Sequence, residues 1–290
     1  METLLEPLAY AFFQKGLIVA GLSGALLGLI GVYIVLRGMS YIGHGLSHSI
    51  FGGFAAAQLF AAQFYALAAG LWGIASALAI TVVVKKSRVG ADAAIGVITI
   101  ASFALGVALF AKFGSSGPSF DNALFGSILG ISVGQIVGLV AVAILTSAFV
   151  FLRYRALLFS TFDPEVAAVS GVRVNRVEAA LMIVLSLAIL ATLTVIGVTL
   201  VAAMLVIPAV IARMLTDSFG RMLAYSTAIG FASGLVGMYL SYYAGVPSGT
   251  MIVLVGAVAF LVVFAVTGIR GRERAAGVDE HSGPRATISA

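Results

Sequence analysis

Cysteine is absent from this sequence, and charged residues make up only 9% of its 290 positions. Without cysteine, the chain forms no disulfide and offers no thiolate ligand to a metal. Soluble domains average about 25% charged residues, so this share is too low for an ordinary water-exposed surface. The phosphate-binding motif GxxxxGK[ST] is also missing, and we therefore expect that the chain does not hydrolyse nucleotides by itself.

Hydrophobic residues dominate instead, at 61% of the chain, with a mean hydropathy of +1.16. They form runs of about 20 residues, the length at which a helix crosses a hydrocarbon core of about 30 Å. The strict alternation of a transmembrane β-barrel is not visible. We therefore predict an all-α polytopic transmembrane bundle of about nine spans. The predicted spans are roughly residues 17–36, 41–61, 66–84, 94–111, 134–152, 178–196, 197–213, 222–243 and 250–268.

Three stretches depart from a simple series of spans. The charge-free run 179–212 is too long for one crossing, so it requires a turn near residues 195–197 or a half-helix. Residues 114–133 begin with turn formers and continue into a short apolar piece, which predicts a re-entrant or surface helix on the outer side. Residues 270–290 are polar, and we predict a disordered cytoplasmic tail there, after a transmembrane domain over residues 1–269.

Basic residues determine the expected orientation. With the N-terminus outside, 14 of the 16 Lys and Arg residues fall on the inner side, and only Lys15 and Lys112 fall outside. Inner loops of membrane proteins carry such an excess, so we predict an outer N-terminus and, for an odd number of spans, an inner C-terminus. The basic residues cluster at span ends and not on one face. The predicted partner is therefore the lipid bilayer and not a nucleic acid.

Small residues predict close packing between two of the spans. Gly24 and Gly28 form one GxxxG pair, and Gly230 and Gly234 form another. This spacing allows two helix backbones to approach closely. Packing within the chain and a seam between two copies both fit the pattern, and we favour packing within the chain.

Two of the three histidines, His44 and His48, lie in the second predicted span. Residues four apart share one helix face, and the small residues Gly45 and Gly52 fall near the same side. We expect these glycines to leave space beside the rings. If Arg37 marks the inner boundary, His48 lies about 16 Å deeper, near the middle of the membrane.

Ionisable groups at that depth usually face a bundle interior or a water-filled path. We therefore predict that the histidine pair is a functional site. The alternative is that both are neutral packing residues, hydrogen-bonded to neighbouring helices.

The longest inner loop, residues 154–176, contains signals for one short helix. Asp163 suits the N-cap, Pro164 suits the first helical position, and Glu165 suits the positive end of the helix dipole. Gly171 suits the position that ends a helix. The expected apolar side consists of Val166, Val169 and Val172. Such a helix either docks onto a partner protein or lies on the lipid surface.

Five stretches resemble, in order, the sequence blocks of a known family. They are GVYIVLRGMSYIGHGLSHSIFGG (31–53), ADAAIGV (91–97), FDPEVAAVSGV (162–172), GVTLVAAMLVIPAVIARMLTD (197–217) and SYYAGVPSGTMIVLV (241–255). The family comprises the permease subunits of bacterial metal-ion ABC importers, the ABC-3 type, which carry zinc, manganese or iron. The resemblance extends from about Leu4 to Gly268.

The resemblance implies a type II importer fold, like that of the cobalamin importer, in the cytoplasmic membrane of a prokaryote. It implies a second permease copy or paralogue, cytoplasmic ATPase subunits and an extracytoplasmic metal-binding protein as partners. It also implies that the 163–171 helix contacts the ATPase. The chain is then not an enzyme and holds no permanent cofactor, and a divalent metal ion is its cargo.

The chain departs from the family pattern at one position. Most members of the family carry Asp where this chain has His44, whereas His48 matches the family histidine. A purely nitrogen pair suits zinc, iron or nickel better than manganese, so we expect zinc, with manganese and iron as alternatives. A permease for a metal chelate would need a wider path, and the absence of carboxylates in mid-span argues against a self-contained cation carrier or channel.

The absence of cysteine makes the predicted topology testable. Ser116→Cys is expected to react with a membrane-impermeant thiol reagent on intact cells, and Ser282→Cys is expected to react only after the cells are opened. The cysteine-free parent chain is the control for background labelling. Labelling of Ser282→Cys but not of Ser116→Cys on intact cells would contradict the orientation.

Overall fold

The protein is described here by a computed structural model that covers residues 6–57, 65–86, 90–113, 131–198 and 200–281. Every regular element in these ranges is helical. In the described ranges, a 3₁₀ turn at Glu6–Ala9 precedes eleven α-helices. The first six are α1 Ala11–Leu36, α2 Ile42–Ala57, α3 Tyr65–Lys86, α4 Ala91–Phe113, α5 Val133–Leu152 and α6 Tyr154–Phe162. The others are α7 Pro164–Val169, α8 Val174–Ile196, α9 Val201–Leu215, α10 Phe219–Ala244 and α11 Ser248–His281.

Seven of these helices are long and apolar enough to cross a membrane: α1, α3, α4, α5, α8, α10 and α11. The other two apolar helices, α2 and α9, have 16 and 15 residues, fewer than the about 20 that a full crossing needs. All nine lie where spans were predicted, and the all-α membrane bundle is confirmed. The number of nine crossings stays a prediction, because the length of α2 and α9 does not establish it.

Helix α1 forms the centre of the bundle and is the most buried of the seven candidate spans in the described residues. Its glycines allow other backbones to touch it. A Cβ atom added at Gly24 would collide with the carbonyl of Gly230 in α10, and one added at Gly31 would collide with the carbonyl of Leu205 in α9. The hydroxyl of Ser226 donates a hydrogen bond to the carbonyl of Gly28 at 2.6 Å. The GxxxG pairs therefore pack on each other within one chain, as predicted.

The long apolar run between α8 and α9 is broken at Gly197. This residue has a φ of +88°, a backbone conformation that favours glycine, and it ends α8. Helix α9 begins four residues later, at Val201. The turn expected near residues 195–197 is present, and the second helix is short, as the half-helix alternative also required.

The loop between α5 and α8 contains two helices, where the sequence predicted only one. The predicted helix is α7, and α6 precedes it directly. Helix α6 was missed because its nine residues are too few to show a clear apolar period. Only Leu157 and Ser160 of α6 are buried. Rings of Tyr154 and Phe162 lie 5.6 and 5.9 Å from that of Phe219, which holds α6 against the start of α10.

The two remaining segment predictions are only partly covered. Residues 114–130 lie outside the described residues, so the outer re-entrant or surface helix stays a prediction. Helix α5 then begins with a capping box between Ser132 and Gln135. Helix α11 continues through residues 270–281, the first part of the predicted tail, and residues 282–290 lie outside the described residues. The division at residue 269 stays a prediction.

Overpacking of the α1–α10 contact is expected to destabilise the bundle. Gly230→Ala places a methyl group against the backbone of Gly24, and overpacking of this kind typically costs about 1–3 kcal/mol. The matched control is Gly96→Ala in α4, where an added Cβ meets nothing within 4 Å. Thermal unfolding of both variants in detergent measures the difference. Equal unfolding temperatures would contradict the close contact.

Candidate functional site

The two histidines lie on one face of α2, as their spacing predicted. The ring centroids of His44 and His48 are 4.3 Å apart, and the ring of Tyr41 lies 5.4 Å from that of His44. Both imidazoles are half-buried, whereas Leu46 and Ile50 on the opposite face are fully buried in the core. The helix thus turns its aliphatic residues inward and presents two adjacent rings on one side.

The backbone of α2 determines which nitrogen of His48 is free. Nδ1 of His48 lies 2.9 Å from the carbonyl oxygen of His44, which only accepts hydrogen bonds. Nδ1 must therefore carry the proton and donate it. The neutral ring then has its lone pair on Nε2, the atom that is able to bind a metal ion.

The glycines beside the histidines do not leave space, and this expectation was wrong. A Cβ at Gly45 would lie 2.8 Å from side-chain atoms of Ile95 and Thr99, and a Cβ at Gly52 would lie 2.5 Å from the carbonyl oxygen of Ser102. The room is filled by α4, which packs directly on α2. Glycine permits this close approach of two helices, and so small residues here indicate a contact surface and not a channel wall.

Buried hydroxyl groups hold α2 in place beside the histidines. The indole N–H of Trp72 donates to Ser102 at 2.6 Å, Ser102 and Ser49 are 2.8 Å apart, and Ser49 donates to Ser76 at 2.6 Å. This chain of hydrogen bonds joins α2 to α3 and α4. Unpaired polar groups in a membrane core are costly, so a fully connected chain orients the helices.

A further hydroxyl fixes the opposite flank of α2. Ser47 lies 2.9 Å from the carbonyl oxygen of Val198, in the break between α8 and α9, and 2.8 Å from the carbonyl oxygen of His44. Its single proton serves either acceptor. The histidine helix is therefore tied on one side to α3 and α4 and on the other to the start of α9.

A cavity of about 550 Å³ opens beside His44. It is lined by Gly38, Ser40, Tyr41, His44, Asp92, Ala202, Ala203 and Val206. It lies at the end of the bundle where α1 and α3 finish, called the basic end here because it carries Arg37 and Lys85. Tyr41 and Asp92 are exposed, so water reaches this cavity.

Asp92 is the carboxylate that the cavity adds to the histidines. Helix α4 begins at Ala91, so Asp92 lies in its first turn. Among the described residues, its carboxylate has no hydrogen bond or ion pair. Sequence spacing does not associate Asp92 with His44, because 47 residues lie between them. Only the packing of α4 on α2 brings both to one cavity.

The histidine pair supplies two nitrogen atoms and does not form a complete metal site by itself. No group of three or more His, Cys, Asp or Glu side chains that would hold a metal ion is present in the described part of the chain. Two imidazoles supply half of a tetrahedral zinc shell. The arrangement therefore suits transient binding, with other ligands from water or from elsewhere, better than permanent retention of an ion.

The capped helix in the loop is present with the expected terminal residues. Asp163 accepts a hydrogen bond from the backbone N–H of Val166 at 2.9 Å, Pro164 is the first helical residue and Glu165 lies in the first turn. Gly171 has a φ of +83°. The N–H of Gly171 donates a hydrogen bond to the carbonyl of Ala168, and the N–H of Val172 donates one to the carbonyl of Ala167. This pair of hydrogen bonds defines a Schellman cap.

The outer face of this helix exposes two apolar side chains to solvent. Val166 is 51% exposed and Val169 is 91% exposed, whereas Ala167 on the inner face is fully buried. Ala167 thus anchors α7 to the bundle, and the two valines point away from it. Isolated exposed valines are common on protein surfaces. Two exposed valines on one capped helix of six residues form a small apolar surface, which is typical of a contact with another protein or with lipid.

Comparison with known proteins gives matches along nearly the whole chain. The ABC 3 transport family matches residues 9–267. The manganese transport system membrane protein MntC of Listeria monocytogenes is 36% identical over 264 residues, which cover 91% of this chain and 92% of that protein. The chelated iron transport system membrane protein YfeD of Yersinia pestis is 31% identical over 265 residues, covering 91% and 89%.

A solved structure has the same fold. It is that of PsaBC from Streptococcus pneumoniae in complex with Fab, and it superposes with a TM-score of 0.81 at 29% sequence identity. The match covers 91% of this chain and 95% of that one. The helical bundle described above is therefore shared with a solved protein over almost its full length.

Proposed function

The chain belongs to the ABC 3 transport family, and from that premise we propose that it is the membrane-spanning permease of an importer for a divalent transition metal ion. It is a multi-pass protein of the cell membrane, as its apolar helices and its relatives indicate. The observation that carries the proposal is the pair of imidazoles, 4.3 Å apart on one helix face, with Nε2 of His48 free.

The finer architecture is part of the proposal. Nine crossings, an outer N-terminus and an inner C-terminus would place the basic end in the cytoplasm. The type II importer arrangement would pair two permeases, which alternate between outward- and inward-facing states. ATP hydrolysis would take place on separate cytoplasmic subunits, and an extracytoplasmic metal-binding protein would deliver the ion. No resident cofactor is expected, since the metal is cargo.

In this mechanism His44 and His48 bind the ion while it lacks part of its water shell. Neutral imidazole adds no charge to the empty pathway, which lowers the cost of keeping the site inside a membrane. The remaining ligands would come from water, another helix or the second permease. An open site also releases its ion, which a closed four-ligand cage would hold.

The identity of the metal is proposed from the donor atoms. Two nitrogen ligands favour zinc over manganese, with iron as a further alternative. The relatives compared above are named for manganese and for chelated iron, so both metals belong in any test. Replacement of one histidine by a carboxylate changes a donor atom and leaves the rest of the pathway as it is, so it tests whether the donor atom selects the metal.

Substitution of the histidines tests the proposed passage site. Loss of a residue that merely orients a metal ligand costs about 10–100-fold, so loss of a ligand is expected to cost at least as much. His48→Ala should abolish metal uptake and His44→Ala should reduce it, with assembly and basal ATPase activity retained. The control is His281→Ala, because His281 is the third histidine and lies outside the pair. Parent rates in both alanine variants would show that the pair only packs.

Substitution of His44 by aspartate tests the metal preference. His44→Asp replaces a nitrogen ligand by a harder oxygen ligand and is expected to shift uptake from zinc towards manganese. Uptake of zinc, manganese and iron, each measured alone and in competition, gives the preference. Unchanged selectivity would mean that the donor atom at position 44 does not select the ion.

The solvent-accessible cavity beside His44 provides the proposed exit. It runs from His44 to the exposed carboxylate of Asp92 at the basic end. Asp92→Asn keeps the shape of the side chain and removes its charge, and we expect a lower maximal uptake rate with little change in the metal concentration for half-maximal uptake. The control is Asp217→Asn, an exposed carboxylate that does not line the cavity. Equal rates in both variants would remove Asp92 from the path.

Helix α7 is the proposed contact with the ATPase. Its exposed valines supply an apolar surface, and its caps at Asp163 and Gly171 hold it as a rigid unit. A helix that lies on lipid would also present apolar residues, but it would not need a rigid cap at each end. The family resemblance of residues 162–172 supports the docking alternative.

Variants of α7 test this coupling. Asp163→Ala removes the N-cap, at a typical cost of about 0.5–2 kcal/mol of helix stability, whereas Asp163→Asn retains a capping oxygen. Val169→Asp changes an exposed side chain and should not affect folding. We expect Asp163→Ala and Val169→Asp to lower transport-stimulated ATP hydrolysis at normal permease levels, and Asp163→Asn to retain it. Normal stimulation in all three would show that α7 is not the coupling element.

A further inference from the structure

Arg37 joins the loop that carries α7 to the corner that carries the histidines. Its Nε donates to the hydroxyl of Thr161 at 3.2 Å, and its Nη2 donates to the hydroxyl of Ser160 at 3.0 Å. Both hydroxyls belong to the last turn of α6, directly before the cap at Asp163. The guanidinium thus contacts the base of α7 across more than 120 positions of sequence.

On its other side Arg37 is part of a rigid corner. It is the C-cap of α1, and Gly38 follows with a φ of +68°. The N–H of Gly38 bonds to the carbonyl of Val35, and that of Met39 bonds to the carbonyl of Ile34, which is again a Schellman cap. The N–H of Ile42 then bonds to the carbonyl of Met39 at 2.9 Å and starts α2.

The corner connects Arg37 to the histidines by a short segment that is hydrogen-bonded along its length. His44 is the third residue of α2 and begins the pair of rings. The same corner also lines the cavity through Gly38, Ser40 and Tyr41. A displacement of Arg37 therefore moves both the first histidine and one wall of the proposed exit.

The contact is also too specific to be a simple surface charge. Ser160 is only 4% exposed, and its own proton goes to the carbonyl of Leu157 at 3.1 Å, so its oxygen is free to accept from Arg37. Burial lowers the pKa of Arg37, while the Glu178 carboxylate and Tyr33 raise it. Because the ordinary pKa of arginine is so high, the group stays charged and requires these acceptors.

We propose that Arg37 is a positioning residue that transmits movement of α7 on the ATPase to the histidine helix and the exit cavity. The proposal rests on the proposed function. The planar guanidinium donates two hydrogen bonds from fixed directions and so transmits orientation, which a lysine ammonium on a flexible stem does not. The aromatic contacts of Phe219 hold α6 in place independently, so the fold does not depend on Arg37 alone.

The test measures coupling in the complete complex of permease and ATPase, reconstituted in vesicles. The quantity is the number of metal ions transported per ATP hydrolysed, with zinc or manganese as the probe. Arg37→Lys keeps the positive charge but removes the planar guanidinium that donates the two hydrogen bonds. Thr161→Val keeps the shape of the side chain and removes its acceptor oxygen. Both are expected to lower this ratio by about 5-fold or more, by analogy with the about 5-fold to 150-fold by which coupled sites change each other's affinity, while ATP hydrolysis continues. Thr161→Ser restores the acceptor and should restore the ratio.

The matched control is the other polar link at the basic end. Lys85 forms an ion pair with Glu178 and donates to Asn175 at 2.8 Å, which joins α3 to α8. Because the Glu178 carboxylate also acts on Arg37, the control variant is Asn175→Ala, which removes the bond from Lys85 and leaves Glu178 paired. Asn175→Ala should leave the ratio unchanged. A purely structural role for Arg37 would instead lower complex yield and thermal stability, and it would leave the ratio of the remaining complex at the parent value.

The outcomes separate this inference from the proposed function. Parent ratios in Arg37→Lys and Thr161→Val, together with lost uptake in His48→Ala, would overturn the transmission role and leave the permease assignment standing. Normal uptake in His48→Ala would instead remove the site that Arg37 is proposed to move. If the Arg37→Lys complex fails to assemble, the transport ratios of Thr161→Val and Thr161→Ser are compared instead. Both Thr161 variants keep the hydrogen bond from Arg37 to Ser160, so a difference between their ratios reports the Thr161 acceptor alone.

Discussion

The close approach of α1 to its neighbours is the constraint on which the rest of the bundle depends. Inside a bilayer, burial of apolar side chains gives helices little reason to associate, because lipid tails are as apolar as leucine. Association then relies on packing at short range and on hydrogen bonds. Glycine supplies both along α1: Gly24 and Gly31 let the backbones of α10 and α9 touch it, and the carbonyl at Gly28 accepts from Ser226.

Fixing α1 also fixes the site, because α1 leads into the histidine helix through one hydrogen-bonded corner. The corner determines where α2 starts, and buried hydroxyls determine its rotation, through Ser49 on one flank and Ser47 on the other. Among the described residues, the only polar partner of either imidazole is the carbonyl oxygen of His44, which accepts from His48. Their orientation is therefore a property of the whole helix, and a change in the corner moves both rings together.

The sequence predicted those features that depend on local chemistry. Apolar runs located the helices, and the caps of α7 followed from Asp163 and Gly171 because capping involves only neighbouring residues. Features that depend on packing were harder to predict. Gly45 and Gly52 predicted open space beside the histidines, but α4 occupies it. Arg37 predicted only the inner boundary of a span, but its guanidinium also donates to two hydroxyls of α6. Neither contact leaves a periodic trace in the sequence.

The distribution of donor atoms gives the proposed pathway a direction. Deep in the membrane, a permanently charged ligand would be costly whenever the path is empty, and neutral imidazoles avoid that cost. At the exposed mouth of the cavity, the carboxylate of Asp92 is open to water, which offsets the cost of placing it there. In the proposed pathway, an ion that leaves the two nitrogens would meet the carboxylate of Asp92 where water is able to complete its shell. Release towards the basic end would then require that water and the Asp92 oxygens together replace the two nitrogens, since an ion that is held too tightly does not leave.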